Sequence, residues 1–539
     1  MFDKVLSLNV GILGHIDSGK TSLAKALSTI SSTASFDKNP QSKQRGITID
    51  LGFSCVQLPI PERFKDTGFT SMQLTLVDCP GHASLIRTII MGAEIIDLML
   101  LIVDVTKGIQ TQTAECIVIG EITCDKMIVV LNKVDLIEAS KRETTISKIS
   151  KRILKTLEKT KFSGSSVITV SANPGGGDIH ENNNQEKADV SQLLNAFADA
   201  AFVPKRDKSG GFLMAVDHCF LIRGQGTVLT GTILQGSVKI NDNIEIPSLN
   251  IIKKVKSMQM FKKPIDEAIQ GDRVGVCVTQ FDAKALERGI VSMPGLLKNL
   301  YAAIVSVKCV PYFKGACKTK SKFHVSIMHD TVMAKVTFFS AINKLEFSFD
   351  NEFQYLDELP EKVENLEENG SDVYALLEFE QPVIANTNSL YIASKLDTDI
   401  HANVCRLAFF GNVCAIFGEK NYLESNLQHL KVYKTKSRSG LIERVNNEYE
   451  VIVKSLFKKE TNIDNFRGLK VTLSTGENGV IDGSFGQSGK CKIRIPDGFS
   501  DPRIVQKGKK NETLHQNNIS VTLNFKRYIY DKSKKMIQT

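Results

Sequence analysis

The sequence predicts a multidomain α/β + β chain: a mostly parallel sheet with helices on both faces, a small β-barrel, a second β-rich region, and a basic, mainly β C-terminal domain. Three observations predict it. Over the first two hundred residues, strand-like apolar runs alternate with helix-length stretches, the rhythm of a parallel α/β sheet. After Pro204 the pattern turns to short alternating strands with Gly-rich turns, the mark of a small barrel. Positive charge gathers in the last fifth of the chain: from Lys431 onward there are 22 Lys+Arg against 11 Asp+Glu, while the remainder is close to neutral within a whole-chain net charge of +9.

In chain order, LSLNVGIL (6–13), MQLTLVDC (72–79), LMLLIVDV (98–105), KMIVVLNKVD (126–135) and SVITVSA (166–172) read as strands. Helical patterns are predicted at Lys20–Ser28, His82–Ile95 and Thr113–Thr123. The barrel signal opens at Phe212 and runs through CFLIRGQGTVLTGTILQGSVKINDNIEI (219–246), and the second β-rich region extends from near Tyr301 to about Tyr433. Within it, Glu346–Asp372 carries ten acidic residues and one lysine, too little apolar surface to offset ordering entropy, so most of it is expected to be a flexible insertion. The Asn/Gly-rich stretch Asn173–Asp189 is expected to be a mobile loop. The domains predicted are 1–207, 208–299, 300–435 with the acidic insertion near 343–372, and 436–539.

Composition narrows the function classes. Apolar residues are 42% and charged residues 24%, the balance of a soluble globular protein. The richest apolar run, Ile95–Val103, is interrupted by Asp97 and is too short for a membrane span. The first residues, MFDKVLSLNVGILGH, contain neither a basic n-region nor a cleavage site and lead into a core strand. Eleven scattered cysteines without a C-x-x-C pair suggest neither a disulfide framework nor a zinc site. A cytoplasmic monomer that engages no membrane is expected, with room for a nuclear pool. A basic module appended to a neutral body points to a polyanionic partner, nucleic acid above all.

The chemistry starts at Gly14-His15-Ile16-Asp17-Ser18-Gly19-Lys20-Thr21, a G-x-x-x-x-G-K-[ST] stretch between a predicted strand and a predicted helix. Glycines let the loop turn successive N–H groups, including those of Asp17, Ser18, Gly19 and Ser22, toward phosphate oxygens. Lys20 sets a cation against the β/γ-phosphates, and the Thr21 hydroxyl is placed to ligate Mg²⁺. Asp78-Cys79-Pro80-Gly81-His82 ends a strand, where Asp78 can hold Mg²⁺ through water and Gly81 can offer its N–H to the γ-phosphate. Asn132-Lys133-Val134-Asp135 ends another. Asp135 can accept two hydrogen bonds from the guanine edge, where adenine has no donors, which selects GTP over ATP. Ser171-Ala172-Asn173 can cover the base. These four elements, in this order, predict a GTPase with GTP and Mg²⁺ as its cofactors.

Asp-Cys-Pro-Gly-His together with Arg45-Gly46-Ile47-Thr48 resembles the translational GTPases, the relatives of elongation factor Tu. That resemblance implies a P-loop GTPase domain followed by two β-barrels. It also implies that Thr48 closes over Mg²⁺ and the γ-phosphate, and that His82 orients the attacking water on the ribosome. Asp17-Ser18 stands where elongation factor Tu has Asp-His. FDKNPQSKQRGITIDLGF (36–53), FLMAVDHCFLIRGQGTV (212–228), QGDRVGVCVTQFD (270–282), SLFKKETN (455–462) and FGQSGKCKIRIP (485–496) are similar to the selenocysteine-specific branch, in its eukaryotic form. Departures lie chiefly in loop lengths around 59–71, 174–189 and 343–372.

This branch implies delivery of selenocysteinyl-tRNA to a ribosome paused at a recoded UGA. It also implies an aminoacyl pocket of Asp217, His218 and Arg273, whose positive donors would favour a selenolate over the neutral hydroxyl of serine. Its appended domain implies work with a SECIS-binding protein and the SECIS RNA element. Lys434, Lys436, Arg438, Lys458, Lys459, Lys526 and Arg527 are candidate RNA or partner contacts, with Lys431, Lys507, Lys509 and Lys510 beside them in the sequence. Two other readings stay open: another tRNA-carrying translational GTPase, such as the initiation-factor gamma subunit, and a GTP-switched RNA-binding scaffold.

Overall fold

Five of the predicted strands take their places in one seven-stranded sheet. In a computed structural model describing residues 4–28, 30–31, 51–80, 95–173, 189–341, 346–360, 372–397, 404–486, 489–500, 519–531 and 536–538, these are β1 (Lys4–Gly14), β4 (Phe69–Asp78), β5 (Leu98–Asp104), β6 (Lys126–Asn132) and β7 (Ser166–Val170). They pair in parallel, while β2 (Ile30–Ser31) and β3 (Gly52–Pro59) add an antiparallel edge, giving the order β2-β3-β4-β1-β5-β6-β7. β5 is buried along its whole length, the continuous apolar run expected of a strand covered on both faces.

Helices α1 (Lys20–Leu27) and α4 (Ser191–Ala200) bury Leu23, Leu27, Leu193 and Phe197 on one face. Helices α2 (Thr111–Thr123) and α3 (Arg142–Leu157) bury Ile117, Ile119, Ile153 and Leu157 on the other. The helix expected at 82–95 falls almost wholly on 81–94, outside the described residues. Because β1 is flanked by β4 and β5, the strand order runs outward from it in both directions. The loops at the carboxyl ends of β1, β4, β6 and β7 therefore border the crevice where open α/β sheets bind ligands.

Beyond Pro204 the strands are β8 (Leu213–Ile222), β9 (Gly226–Gln235), β10 (Ser237–Lys239), β11 (Asn243–Ile246), β12 (Ile251–Met260), β13 (Lys263–Ile265), β14 (Glu267–Ile269), β15 (Arg273–Val278) and β16 (Gly289–Ser292). The order β11-β16-β8-β9-β15-β12 closes through pairing of β11 with β12, so this is a closed barrel around Met214, Leu229, Val276 and Val291. Next come β17 (Lys298–Ser306), β18 (Lys308–Cys309), β19 (Lys322–Ile327), β20 (Asp330–Ala341), β21 (Glu352–Leu356), β22 (Val373–Ala385), β23 (Leu390–Ser394) and β24 (Leu407–Phe417). Here β19-β23-β24-β17-β22-β20 forms a second ring, closed by β19 on β20.

The chain divides into two compact units: Met1–Cys317, Ser321–Lys335 and Leu377–Gly418 form one, and Lys318–Lys320, Val336–Leu376 and Glu419–Thr539 form the other. Inside the first, polar contacts tie the α/β domain to the segment that leads into the first barrel and to the barrels themselves. Arg206 pairs with Asp97 at 2.8 and 2.5 Å, and Asn9 Nδ2 donates to the Gly271 carbonyl at 2.9 Å. Arg406, just ahead of β24, grips Glu115 of α2 through Nε at 2.9 Å and Nη2 at 2.8 Å, both side chains 5% exposed.

The second unit contains β25 (Lys431–Asn447), β26 (Glu450–Lys454), β27 (Lys470–Leu473), β28 (Asn478–Phe485), β29 (Lys490–Arg494), β30 (Ser520–Tyr528) and β31 (Met536–Ile537). The order β25-β26-β29-β28-β27-β30 closes through β25 and β30 around Ile442, Val453, Phe466, Ile493 and Leu523. One expectation is corrected here. The acidic stretch is not simply a flexible insertion, because Glu352–Leu356 is strand β21, paired with β20 and parallel to β25. Its composition misleads because a few aromatics outweigh the carboxylates. Phe347 and Phe353 stack at 5.5 Å, and Phe353 meets Phe339 and Tyr374 edge-on at 5.2 and 5.7 Å. Residues 361–371 of that stretch lie outside the described residues, as do 174–188 of the loop expected at Asn173–Asp189.

Candidate functional site

The loop between β1 and α1 is shaped by its own backbone demands. Asp17 and Gly19 adopt positive φ, 58° and 88°. A side chain at Gly19 would also put its Cβ 2.2 Å from Asn132 Nδ2, so only glycine fits there. Lys20 is 6% exposed, and its ammonium donates to the carbonyls of Gly14 (3.1 Å) and His15 (2.7 Å). Burial lowers its pKa, opposed by the negative charge of Asp78. Thr21 Oγ1 donates to Asp78 Oδ2 at 2.7 Å, which brings the hydroxyl and the carboxylate at the end of β4 together. Ser18 is buried and Ser22 partly so.

Asn132 binds the loops to one another. Its Nδ2 donates to the Ser18 carbonyl at 2.9 Å, and its Oδ1 accepts from the Ala172 N–H at 3.0 Å. Ser171 Oγ accepts from the Asp135 N–H at 3.2 Å, leaving the Asp135 residue exposed at the rim with Asn173 two residues beyond Ser171. Lys133, at φ 67°, reaches Asp104 at 2.9 Å. Burial would raise the Asp104 carboxyl, but hydrogen bonds from Thr106 and Lys133 hold it below the usual carboxylate range. Sequence reasoning passed over Asp104, and also Gln112 of α2, whose Oε1 accepts from the Ile16 N–H at 3.3 Å. Of the residues predicted for this site, Thr48, Gly81 and His82 lie outside the described residues.

The Thr21–Asp78 pair tests the fit of a metal. A hydroxyl and a carboxylate are hard oxygen donors, the type Mg²⁺ selects, and they converge at the open end of the sheet beside the phosphate-cradle loop.

A second cluster sits on the first barrel. Arg273 opens β15 and Asp217 and His218 lie on β8, strands separated in the ring by β9 alone. Arg273 Nη2 and Nη1 donate to Asp217 at 2.5 and 3.3 Å, with side chains 5% and 13% exposed. The guanidinium also covers the ring of Phe53, its Cζ 3.2 Å from the ring centroid. A cavity of about 40 Å³, room for about three water molecules, is lined by these four residues. Arg288 and His329 line it as well. Burial lowers the His329 imidazole, Arg288 lowers it further, and Asp330 opposes them. No motif assigned Phe53, Arg288 and His329 to this cluster, since they come from β3, a barrel loop and a hairpin tip.

In the second unit the candidate basic residues fall into two groups. Lys434 pairs with Asp357 at 2.7 Å, Lys526 with Glu352 at 2.8 Å, and Arg438 lies 4.9–5.9 Å from the rings of Phe466, Phe457 and Phe525. Lys436, Lys458, Lys459 and Arg527 are exposed. Lys434 faces Arg527 across β25 and β30, so Lys434, Lys436, Arg438 and Arg527 share one side of that ribbon. Lys507, Lys509 and Lys510 lie outside the described residues.

A phosphate-cradle loop, a Thr–Asp pair and an Asn-linked base edge on this sheet, followed by closed barrels, define a GTPase of the translational class. Family models for the elongation factor Tu GTP binding domain and elongation factor Tu domain 2 match residues 6–202 and 226–291. Those for the selenocysteine-specific elongation factor, eukaryotes, 3rd domain and the eEFSec C-terminal RIFT domain match 304–411 and 428–534. The selenocysteine-specific elongation factor of Mus musculus is 50% identical over the whole of both chains, and that of Methanocaldococcus jannaschii is 34% identical over 90% of this chain and 93% of its own. The crystal structure of translation elongation factor SelB from Methanococcus maripaludis, in complex with the GTP analogue GppNHp, superposes with a TM-score of 0.68 at 27% identity, covering 98% of this chain and all of the other. The chain belongs to the selenocysteine-specific elongation factors.

Among the described residues no helix is long and apolar enough to cross a membrane.

Proposed function

We propose that this GTPase carries selenocysteinyl-tRNA in its GTP-bound state and delivers it to the ribosomal A site at recoded UGA codons, hydrolysing GTP on correct decoding. The observation that supports this above all is the Asp217–Arg273 pair beside His218 in a cavity of about 40 Å³. Two of the guanidinium's donors are taken by Asp217, and the rest remain in its plane for an anionic side chain. A selenol is more acidic than a thiol and is largely ionised near neutrality, whereas serine offers only a hydroxyl. The small volume suits a side chain of two heavy atoms.

At the nucleotide site, the backbone of Asp17, Ser18, Gly19 and Ser22 and the Lys20 ammonium hold the phosphates, while Asp135, Ser171, Ala172 and Asn173 hold guanine, with Asn132 and Lys133 bracing them. Thr21 and Asp78, with Thr48, would hold Mg²⁺, which supplies charge neutralisation between the phosphate oxygens. Gly81 offers its N–H to the γ-phosphate and His82 orients the attacking water, a task of positioning rather than strong base chemistry. The exposed Lys436, Arg527, Lys458 and Lys459 meet RNA or the SECIS-binding protein at the SECIS element. The protein acts as a cytoplasmic monomer.

Competition between selenocysteinyl-, seryl- and methionyl-tRNA, with a non-hydrolysable GTP analogue present, tests the reading. Selenocysteinyl-tRNA should win by at least about tenfold over seryl-tRNA. Equal binding would overturn cargo recognition at this pocket. Replacing Lys436 and Arg527 by alanine should flatten the salt dependence of RNA binding by about one to two phosphate contacts.

A further inference from the structure

We propose that Phe53 is a positioning residue of the cargo pocket: its ring holds the Arg273 guanidinium at the tilt from which Arg273 meets the esterified amino acid. This rests on the pocket reading above and adds a residue from the GTPase domain to it.

Arg273 is constrained in two directions by two different domains. Asp217 fixes one edge of the guanidinium through Nη2 and Nη1, at 2.5 and 3.3 Å. Two bonds along one edge leave the plane free to tilt about the line joining them. The Phe53 ring removes that freedom, because Cζ lies 3.2 Å from its centroid, too close for the guanidinium to turn edge-on to the ring. The donors not used on Asp217 lie in the guanidinium plane, so the ring decides where they point.

Phe53 is also well anchored. It is 1% exposed and packs with Val77, Cys79 and Met99 in the core of the α/β domain. In the β3–β4 register it pairs with Val77, and Gly52 pairs with Asp78, the carboxylate that accepts from Thr21. The face of the cargo-reading cation is therefore backed by a residue one register step from the nucleotide site. A core filler would need only Phe53's volume, and any apolar residue of similar size would then serve equally for every cargo.

The affinities of the full-length protein for selenocysteinyl- and seryl-tRNA, measured with a non-hydrolysable GTP analogue, separate these roles. Phe53→Leu removes the ring while keeping an apolar, though smaller, side chain and should narrow the preference for selenocysteinyl-tRNA about tenfold, with the loss confined to that cargo. Phe53→Tyr keeps the ring and should hold the preference within about twofold. Adding Phe53→Leu to Arg273→Ala should change nothing further. Should the Leu variant lose GDP binding and so its fold, Phe53→Met decides by the same criterion. If Arg273→Ala leaves the preference intact, the pocket reading itself fails. If Arg273→Ala abolishes it while the ring-less variant weakens both cargoes equally or neither, the pocket stands and the role of Phe53 is overturned.

Discussion

The nucleotide site and the proposed cargo pocket hold their central cations in opposite ways. Lys20 is buried against two carbonyl oxygens, and of the two described carboxylates whose charge acts on it, Asp78 and Asp17, the stronger, Asp78, is engaged by Thr21. Arg273 is matched by its own carboxylate and stacked on a ring. The difference fits the ligands proposed for the two sites. A nucleoside triphosphate brings several negative charges and needs a site whose positive charge is poised for them. An aminoacyl side chain brings at most one and must be told from a near-isostere. There a balanced pair, ready to exchange a hydrogen bond, discriminates better than a surplus of charge.

A third buried cation calibrates the comparison, since Arg406 is paired like Arg273 but serves neither ligand. Glu115→Ala removes the carboxylate that faces that guanidinium at 5% exposure and should destabilise the protein by about 3–5 kcal/mol. The midpoint of the first urea transition checks it. A shift near zero would show that in-house pairing carries little energy in this protein, and would weaken the contrast. Lys20→Ala comes next, with GTP affinity expected to fall roughly 100-fold, the worth of about two charge-assisted hydrogen bonds. Nucleotide titration reads it, and a fall of less than about threefold would mean that the poised cation is not what binds the phosphates.

Arg273→Ala sharpens the other half of the comparison. Binding of selenocysteinyl-tRNA should weaken about tenfold to thirtyfold more than that of seryl-tRNA, for the loss of one charged hydrogen bond. Equal losses would remove the selectivity argument. The smallest effect belongs to a paired surface. Hydrogen bonds from Lys526 and Tyr528 lower the Glu352 carboxyl below its ordinary value. Its folded pKa lies below its unfolded one, so the stability it adds is complete above the usual glutamate range and disappears as pH falls through the folded value. Glu352→Gln should flatten the acid limb of a melting-temperature profile by no more than about 1 kcal/mol in equivalent stability. An unchanged limb would show that the pair is idle.

Legibility in the sequence follows the same division. The loop at 14–21, Asp78, and the Asn132–Asp135 and Ser171–Asn173 runs each form one short segment, and their roles depend on backbone conformation that local residue types dictate. The proposed cargo pocket is legible only through resemblance, and only for Asp217, His218 and Arg273. Phe53, Arg288 and His329 join it from three stretches of chain that no local pattern links. The stripe that lays helix α3 on the core is, by contrast, local, with Ile146, Ile149, Ile153 and Leu157 at helical spacing. In the acidic stretch, composition suggested flexibility, and strand β21 formed because its aromatics found Phe339 and Tyr374 across the fold.

By itself the sequence determines the nucleotide chemistry, the succession of an α/β domain and β-rich domains, and the concentration of positive charge near the C-terminus. These depend on neighbours in the chain, whose periodicity and steric limits act before any long-range contact forms. Only the tertiary structure decides which ring lies under Arg273, which carboxylate balances it, and which of the C-terminal cations are already engaged. Those outcomes depend on distances between residues tens to hundreds of positions apart, and closing such loops is work for the packed core rather than for any motif.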